Sequence, residues 1–207
     1  MRPLIGVILL ALVWIVSCGP DPSGRDSSPI NFLEPPSMQK QDPFAFRLMR
    51  GGYDISITQK AAYTVRGIVM GRENYYSGWN ALISPADVAL CWGQLADNGT
   101  YKRLKWSQGN RWYFWSAEDD FGYNNDFVAQ HSSNNHIIPA TSNLAKAVKG
   151  LKQGHVVEMT GHLVDVTAVK NSENYRWNSS TSTTDRGDGS CEILYLTRLK
   201  VHGRIYQ

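Results

Sequence analysis

The chain has 207 residues, with 21 basic and 18 acidic side chains and a formal net charge of +3 at pH 7. A net charge this small does not favour nucleic acid or an acidic polymer as the partner. The length suits one domain with a single hydrophobic core.

The N-terminus predicts export to the cell envelope. Residues 1–17 carry an early arginine and then an apolar run that is too short to span a bilayer and is typical of a signal peptide. The segment Ile15-Val-Ser-Cys-Gly19 resembles the lipobox of bacterial lipoproteins. The resemblance implies cleavage before Cys18, acylation of that cysteine, and, because Gly19 is not Asp, the periplasmic face of the outer membrane. The alternative is an ordinary signal peptide with a chance cysteine.

The next segment predicts a linker and then the start of the domain. Residues 18–43 are rich in Pro, Ser and Asp, a composition that indicates a disordered tether between the lipidated Cys18 and the domain. The domain is expected to cover residues 44–207. Alternating residues on both sides of Gly51-Gly52 predict a β-hairpin.

The middle of the chain predicts strands and one helix. Residues 63–70 form a strand pattern, with Gly67 as a bulge or a point of close approach. Ser84, Pro85 and Asp87 have the spacing of a capping box and predict a short helix that ends by residue 98.

The aromatic run Arg111-Trp-Tyr-Phe-Trp115 belongs to a pair of strands covering 101–106 and 111–115. Its aromatic surface is either a platform for carbohydrate or peptide, or core with one exposed edge residue.

The C-terminal half predicts a second short helix and the longest strand. Ser142 caps a helix that ends at Gly150 or Gly154. Residues 155–167 alternate as a strand with a bend at Gly161, and strands follow at 175–177 and 191–201. The fold class is therefore mainly β (α+β): a strongly bent antiparallel sheet or small barrel with two short helices.

The stretch from His131 to Ala140, with the sequence HSSNNHIIPA, is the candidate functional segment. It holds two of the five histidines, and a core strand could bury so many polar groups only with a partner for each. We expect a polar loop. The candidate ligand-binding residues are His131, Ser132, Asn134, Asn135 and His136, together with Trp92 and Asp185. The alternative is that these side chains only hold the loop rigid through backbone hydrogen bonds.

Two cysteines remain once Cys18 is lipidated. Cys91 and Cys191 either form a disulfide, which the envelope permits, or stay as two small buried thiols.

Four stretches resemble a family of uncharacterised bacterial envelope proteins. They are SPADVALCWG (84–93), RWYFW (111–115), HSSNNHIIPA (131–140) and DRGDGSCE (185–192). The resemblance covers residues 60–200 and implies an envelope location, but no mechanism. Family members tend to have Gly where this chain has Cys91, which puts a family-wide disulfide in doubt.

Metal and catalytic chemistry have little support in these patterns. His131 and His136 are five residues apart, unlike the four-residue helical spacing of zinc enzymes, so we expect no metal and no cofactor, although Asp185 or Asp188 could supply a third ligand. Cys191 with either histidine and an Asn or Asp, Asp185 among them, would suit thiol catalysis, but Cys191 opens an apolar strand. Whether the protein is an enzyme stays open.

The interpretation that we favour is a non-catalytic envelope lipoprotein that binds or scaffolds an envelope protein or glycan. Its 131–140 loop is expected to lie beside the 184–191 turn, with Asp185 accepting hydrogen bonds from a histidine or from the two asparagines. The alternative is a hydrolase of an envelope polymer with His131 or His136 as general base.

Overall fold

The computed structural model describes residues 19–182 and 191–207. Its strands are β1 Gly24–Arg25, β2 Ser37–Lys40, β3 Ala45–Arg50, β4 Tyr53–Asn74, β5 Ala86–Cys91, β6 Leu104–Gly109, β7 Trp112–Ala117, β8 Ser132–Pro139, β9 Val156–Lys170, β10 Glu173–Trp177, β11 Glu192–Val201 and β12 Arg204–Tyr206. The helices are α1 Gly93–Ala96, α2 Asn125–Gln130 and α3 Ser142–Lys149, with 3-10 turns at Asn80–Leu82 and Asp97–Arg103. None of these helices has the length and apolar character needed to cross a membrane. The predicted signal peptide, Cys18, Asp185 and Asp188 lie outside the described residues.

The long strand β4 organises the fold. It pairs with β9 along most of its length, with β3 and then β2 on its other side, and with β5 at its end. Register shifts near Lys60 and Met70 allow the strand to bend between these partners. The predicted hairpin at Gly51-Gly52 is confirmed, and both glycines have the positive φ of a two-residue turn. The second strand of this hairpin and the strand predicted at 63–70 are one continuous strand, β4.

The sheet closes into a five-stranded barrel. The order is β4-β5-β8-β11-β9, and β9 returns to β4. All neighbours are antiparallel except β8 and β11, which are parallel, and α3 connects β8 to β9. This strand order and helix position are those of the OB fold, a Greek-key barrel. The expected β-rich fold with short helices is confirmed, although the sheet is mixed and has three short helices.

Two glycines allow the barrel to close. A Cβ atom at Gly161 would lie 2.0 Å from the carbonyl oxygen of Tyr195, and one at Gly67 would lie 2.6 Å from that of Cys91. Any side chain at these positions would push neighbouring strands apart, so the close approach expected at Gly67 and the bend expected at Gly161 both mark tight backbone contacts.

The barrel interior is apolar and α3 covers part of it. Leu90, Ile137 and Leu163 are fully buried in one cluster with Leu144 and Ala147 of the helix. Burying a side chain of this size stabilises the fold by about 1.5–3 kcal/mol.

Helix α3 is the second predicted helix, and it begins one residue away from the expected cap. Its N-cap is Thr141 rather than Ser142, with the Thr141 hydroxyl accepting a hydrogen bond from the amide of Leu144.

The helix predicted to start at Ser84 is wrong. Residues Ala86–Cys91 form β5, and all six are buried. A strand covered on both faces does not alternate, so its apolar residues can imitate a helical stripe. Asp87, expected to cap a helix, instead forms a buried ion pair with Arg111.

The predicted tether also differs from the structure. Residues 19–43, which we call the strap, contain β1, which pairs with β12, and β2, which pairs with β4. The buried ammonium of Lys200 donates hydrogen bonds to the Asp26 carboxylate at 2.7 Å and to the Ser28 carbonyl at 2.9 Å. Composition alone missed these contacts, because they join the strap to the last strands of the chain.

Candidate functional site

The site lies on the outer face of β5 and β8, under the hairpin formed by β6 and β7. One side of this hairpin is turned towards the barrel. Its aromatic residues Trp106, Tyr113 and Trp115 pack against the outer surface of the barrel. Hydrogen bonds fix the hairpin in place: Gln108 Nε2 donates to Asn134 Oδ1 at 2.9 Å, and the Tyr113 hydroxyl lies 3.1 Å from that of Ser132.

The expectation that residues 131–140 form a loop is wrong. Ser132–Pro139 is strand β8 at the centre of the sheet, and Ser132 to Ile138 are buried. Its polar side chains alternate between two faces, with Ser132, Asn134 and His136 outside the barrel and Ser133 and Asn135 inside it. The strand can bury them because the neighbouring strands and the hairpin supply polar partners.

A buried carboxylate is the centre of the outer face. Asp87 is fully buried, and one carboxylate oxygen accepts a hydrogen bond from Arg111 Nη1 at 2.7 Å. The other oxygen lies 3.3 Å from Asn134 Nδ2 and 3.0 Å from His136 Nδ1. No hydrogen bond joins His136 Nδ1 to this oxygen, so their 3.0 Å separation is a close polar contact only. A buried carboxylate needs such compensation, because an isolated charge there would be very costly.

Arg111 is held from several sides. Its guanidinium donates to the Ser84 carbonyl at 2.9 Å and stacks 3.8 Å from the centre of the Tyr75 ring. Burial, together with the negative charge of Asp87, raises the pKa of Tyr75 to about 12, so the phenol stays neutral.

The backbone of Arg111 is strained. Its φ of +70° is unusual for a residue with a side chain. The amide of Arg111 donates to the Tyr75 hydroxyl at 2.9 Å, and its carbonyl accepts from Asn134 Nδ2 at 2.9 Å. Strain of this kind persists where surrounding contacts impose it, and it often marks functional positions.

An open cleft of about 420 Å³ lies above this network. It is lined by Arg111, Trp112, His136, Arg176, Trp177, Asn178 and Cys191. The Trp177 ring packs 4.8 Å from the His136 ring and 5.3 Å from the Arg111 guanidinium. Two indoles, two guanidinium groups and an imidazole can therefore contact one ligand.

The structure brings only some of the predicted site residues to the cleft. His136 and Cys191 line it, and Asn134 lies behind it in the Asp87 network. Ser132 holds the hairpin, Asn135 is inside the barrel, and Asp185 lies outside the described residues.

His131 and Trp92 do not line the cleft. His131 follows α2, with its Nδ1 2.8 Å from the Phe127 carbonyl oxygen and its ring against that of Phe127. Trp92 is almost fully buried in the barrel core. Both residues therefore have structural roles at these positions.

Six residues of the site are absent from the binding residues expected from the sequence: Asp87, Arg111, Trp112, Arg176, Trp177 and Asn178. Arg111 and Trp112 belong to the 111–115 run, which the sequence indicates only as a whole as a carbohydrate or peptide platform. The capping-box pattern predicts a helix cap at Asp87, and the 111–115 run is notable in the sequence for its aromatic residues rather than for Arg111. Arg176 and Trp177 had no signal beyond a short strand pattern, because nothing local shows that β10 leads to the cleft.

The two described cysteines do not form the disulfide that the sequence left open. Cys91 on β5 is opposite Ser132 of β8, and β11 begins on the other side of β8. Two strand spacings, about 9.6 Å, therefore separate Cys91 from Cys191, which is beyond disulfide reach. Burial raises the pKa of the Cys91 thiol to about 12, so it stays protonated.

The stretches 84–93, 111–115 and 131–140 and the described end of 185–192 all contribute to this site. The first supplies Asp87, the second Arg111, the third His136 and the described end of the fourth Cys191. In residues 19–182 and 191–207, no group of three or more His, Cys, Asp or Glu side chains is arranged to hold a metal ion. No protein-family model, curated protein or solved structure matches the chain.

Proposed function

We propose that this protein is a non-catalytic, lipid-anchored module of the bacterial cell envelope that binds a glycan in the cleft over β8. One observation carries the proposal. Three of the four stretches line a single open cleft, and the remaining one supplies the Asp87 of the buried ion pair beneath it. An ion pair needed only for stability would not require a cleft beside it.

The chemistry of the walls favours a sugar chain. Flat indoles such as Trp112 and Trp177 can stack on the apolar faces of sugar rings, and Arg176 and His136 can hydrogen-bond hydroxyl or carboxylate groups. The cleft is on the second and third strands of the barrel, the face that binds oligosaccharides or oligonucleotides in OB folds. The formal net charge of +3 does not favour a polyanionic nucleic acid.

The location rests on the N-terminal pattern. The lipobox resemblance at Ile15 to Gly19 supports a lipid anchor on Cys18, and Gly19 supports the outer membrane. The family resemblance of the four stretches supports the same compartment.

Calorimetric titration with soluble peptidoglycan fragments tests the binding proposal. We expect wild type to bind and Trp112→Ala to weaken binding at least about fivefold, since covering one face of an indole buries enough apolar area to contribute about 1 kcal/mol or more. Phe114→Ala is the matched control, because Phe114 is exposed on the same face of β7 without lining the cleft. Equal loss in both variants, or no binding by wild type, would contradict the proposal for this glycan.

A specific arrangement favours a second candidate function, a thiol-dependent hydrolase of an envelope polymer. His136 and Cys191 line the same cleft, and Asp87 lies behind His136. The Cys191 thiol would pass its proton to His136 and attack an acyl carbon, and the amine or alcohol of the substrate would leave with that proton. Water would then cleave the thioester, which releases the acid and restores the thiol.

The rate at which iodoacetamide alkylates Cys191 distinguishes the two functions. A hydrolase predicts fast alkylation near neutral pH that becomes slow in His136→Gln. A binding module predicts the slow alkylation of an ordinary thiol in both proteins.

A further inference from the structure

The strap holds its first residues against helix α3. The Asp21 amide donates to Asn143 Oδ1 at 2.8 Å, and Asn143 Nδ2 donates to the Asp21 carbonyl at 2.8 Å. The amide of Ser23 continues the contact by donating to the Ile205 carbonyl at 2.8 Å. Cys18 is three residues before Asp21, and three residues span at most about 11 Å. An acylated Cys18 would therefore keep the surface around Asn143 close to the bilayer.

Two arginines face each other beside this point. Arg25 of β1 is directly opposite Arg204 of β12, and both are exposed. Like charges in directly opposed positions of an antiparallel pair repel each other. Neither arginine forms an ion pair with a carboxylate in the described part of the chain. The pair would gain stability from an external anion.

Two lysines extend this positive surface. The side chains of Arg204 and Tyr206 are on the same face of β12. Tyr206 packs in one core cluster with Leu144 and Ala147 of α3, so Arg204 lies on the side of β12 that faces this helix. Helix α3 packs against β12 and exposes Lys146 and Lys149 on its solvent side. We call Arg25, Lys146, Lys149 and Arg204 the anchor surface.

The acidic residues nearby do not neutralise the anchor surface. Asp21 and Asp26 are the two carboxylates in this part of the strap. Asp26 is engaged by Lys200 at 2.7 Å and approached by Arg198 at 3.9 Å. Two negative charges, those of Asp21 and of the terminal carboxylate of Gln207 beside Asn143, therefore stand against four cations.

We propose that the anchor surface contacts the anionic headgroups of the bilayer in which Cys18 is inserted. The proposal rests on the lipid anchor of the proposed function and adds the orientation of the barrel. Each lysine or arginine near an anionic surface strengthens association about fivefold. This attraction falls off over a Debye length of about 8 Å at physiological salt, a distance comparable with the reach of the three-residue linker. The barrel is therefore held with α3 towards the lipid rather than free to rotate.

Lysine acetylation of the full-length, lipidated protein tests the orientation. The protein is reconstituted in phosphatidylglycerol vesicles or kept in neutral detergent micelles, treated with a membrane-impermeant acetylating reagent, and digested for mass spectrometry. On the vesicles we expect Lys146 and Lys149 to react several-fold more slowly than in micelles, because contact with the anionic headgroups shields their amines from the reagent. Lys105, which is exposed on the hairpin, is the internal control and should react equally in both. High salt should restore much of the lost reactivity.

The outcomes separate the orientation from the anchor. Suppose that the protein is acylated at Cys18 and bound to the vesicles, but Lys146 and Lys149 are protected no more than Lys105. The proposed contact between the anchor surface and the headgroups is then wrong, whereas the proposed lipid anchor is supported. If mass spectrometry finds no acyl chain on Cys18, both proposals fall. Equal protection on phosphatidylcholine vesicles would also overturn the role of anionic headgroups.

Discussion

The two faces of β8 carry similar side chains with different partners. Inside the barrel, Asn135 donates to the Ser133 hydroxyl at 2.9 Å and lies 3.4 Å from the Val88 carbonyl, so its partners are on the same strand or the next one. Outside, Asn134 and His136 approach Asp87, which binds an arginine from the separate β6–β7 hairpin. The polar contacts of the inner face therefore stay within the barrel strands. Those of the outer face connect the barrel to the β6–β7 hairpin beside an open cleft.

Removing the central carboxylate should give the largest effect. Asp87→Ala leaves the largely buried Arg111 guanidinium without its counter-charge, and we expect a loss of about 3–5 kcal/mol in the free energy of unfolding. Denaturant unfolding followed by tryptophan fluorescence measures it. Asp87→Asn, which keeps the shape of the side chain, should lose less. A loss below about 1 kcal/mol in Asp87→Ala would show that the outer network does not depend on this charge.

A truncation on the inner face should cost less and leave the cleft intact. Asn135→Ala removes a donor from the Ser133 hydroxyl, and we expect about 1–3 kcal/mol of destabilisation in the same unfolding experiment. Ligand binding in the cleft should not change, because Asn135 faces the other side of the sheet. Weakened binding in a folded Asn135→Ala protein would break the distinction between the two faces.

The strap should respond to acid differently from both faces. Hydrogen bonds from Lys200, and then from Ser28, hold the pKa of Asp26 well below its usual value of 3.8. A carboxylate with a lowered folded-state pKa stabilises the fold above its unfolded pKa and loses that contribution as pH falls through the folded value. The difference in melting temperature between wild type and Asp26→Asn should therefore be largest at pH 7, and it should decrease progressively as the pH falls below 3.8. A gap that does not change with pH would mean that Asp26 is not engaged in this way.

Much of the fold could be predicted from local patterns. The hairpin at Gly51-Gly52, the strand ending near Thr167 and helix α3 each follow from signals within a few residues. The glycines at 67 and 161 also indicated close backbone contacts, although the partner carbonyls could not be foreseen.

The errors occur where distant contacts decide the structure. Ser84 and Asp87 satisfy a capping box, yet burial on both faces makes 86–91 a strand. The polar stretch 132–136 predicts a loop, yet it is buried because Arg111, Gln108 and Tyr113 of the preceding hairpin supply partners for its outer side chains. Of the residues expected to bind ligand, His136 lines the cleft, and the residues around it become visible only once the barrel is assembled.

The central claim is that separate stretches of the chain form one coupled site around Asp87. A double-mutant cycle tests it most directly, with the free energy of unfolding measured for Asp87→Ala, Arg111→Ala and the double variant. The exposed pair Arg103 and Asp120 serves as the control cycle, with an expected coupling of about 0–1 kcal/mol. For Asp87 and Arg111 we predict that the double variant loses less than the sum of the single variants by about 1–3 kcal/mol, because each truncation orphans the same partner. Additive losses at Asp87 and Arg111 would contradict the claim.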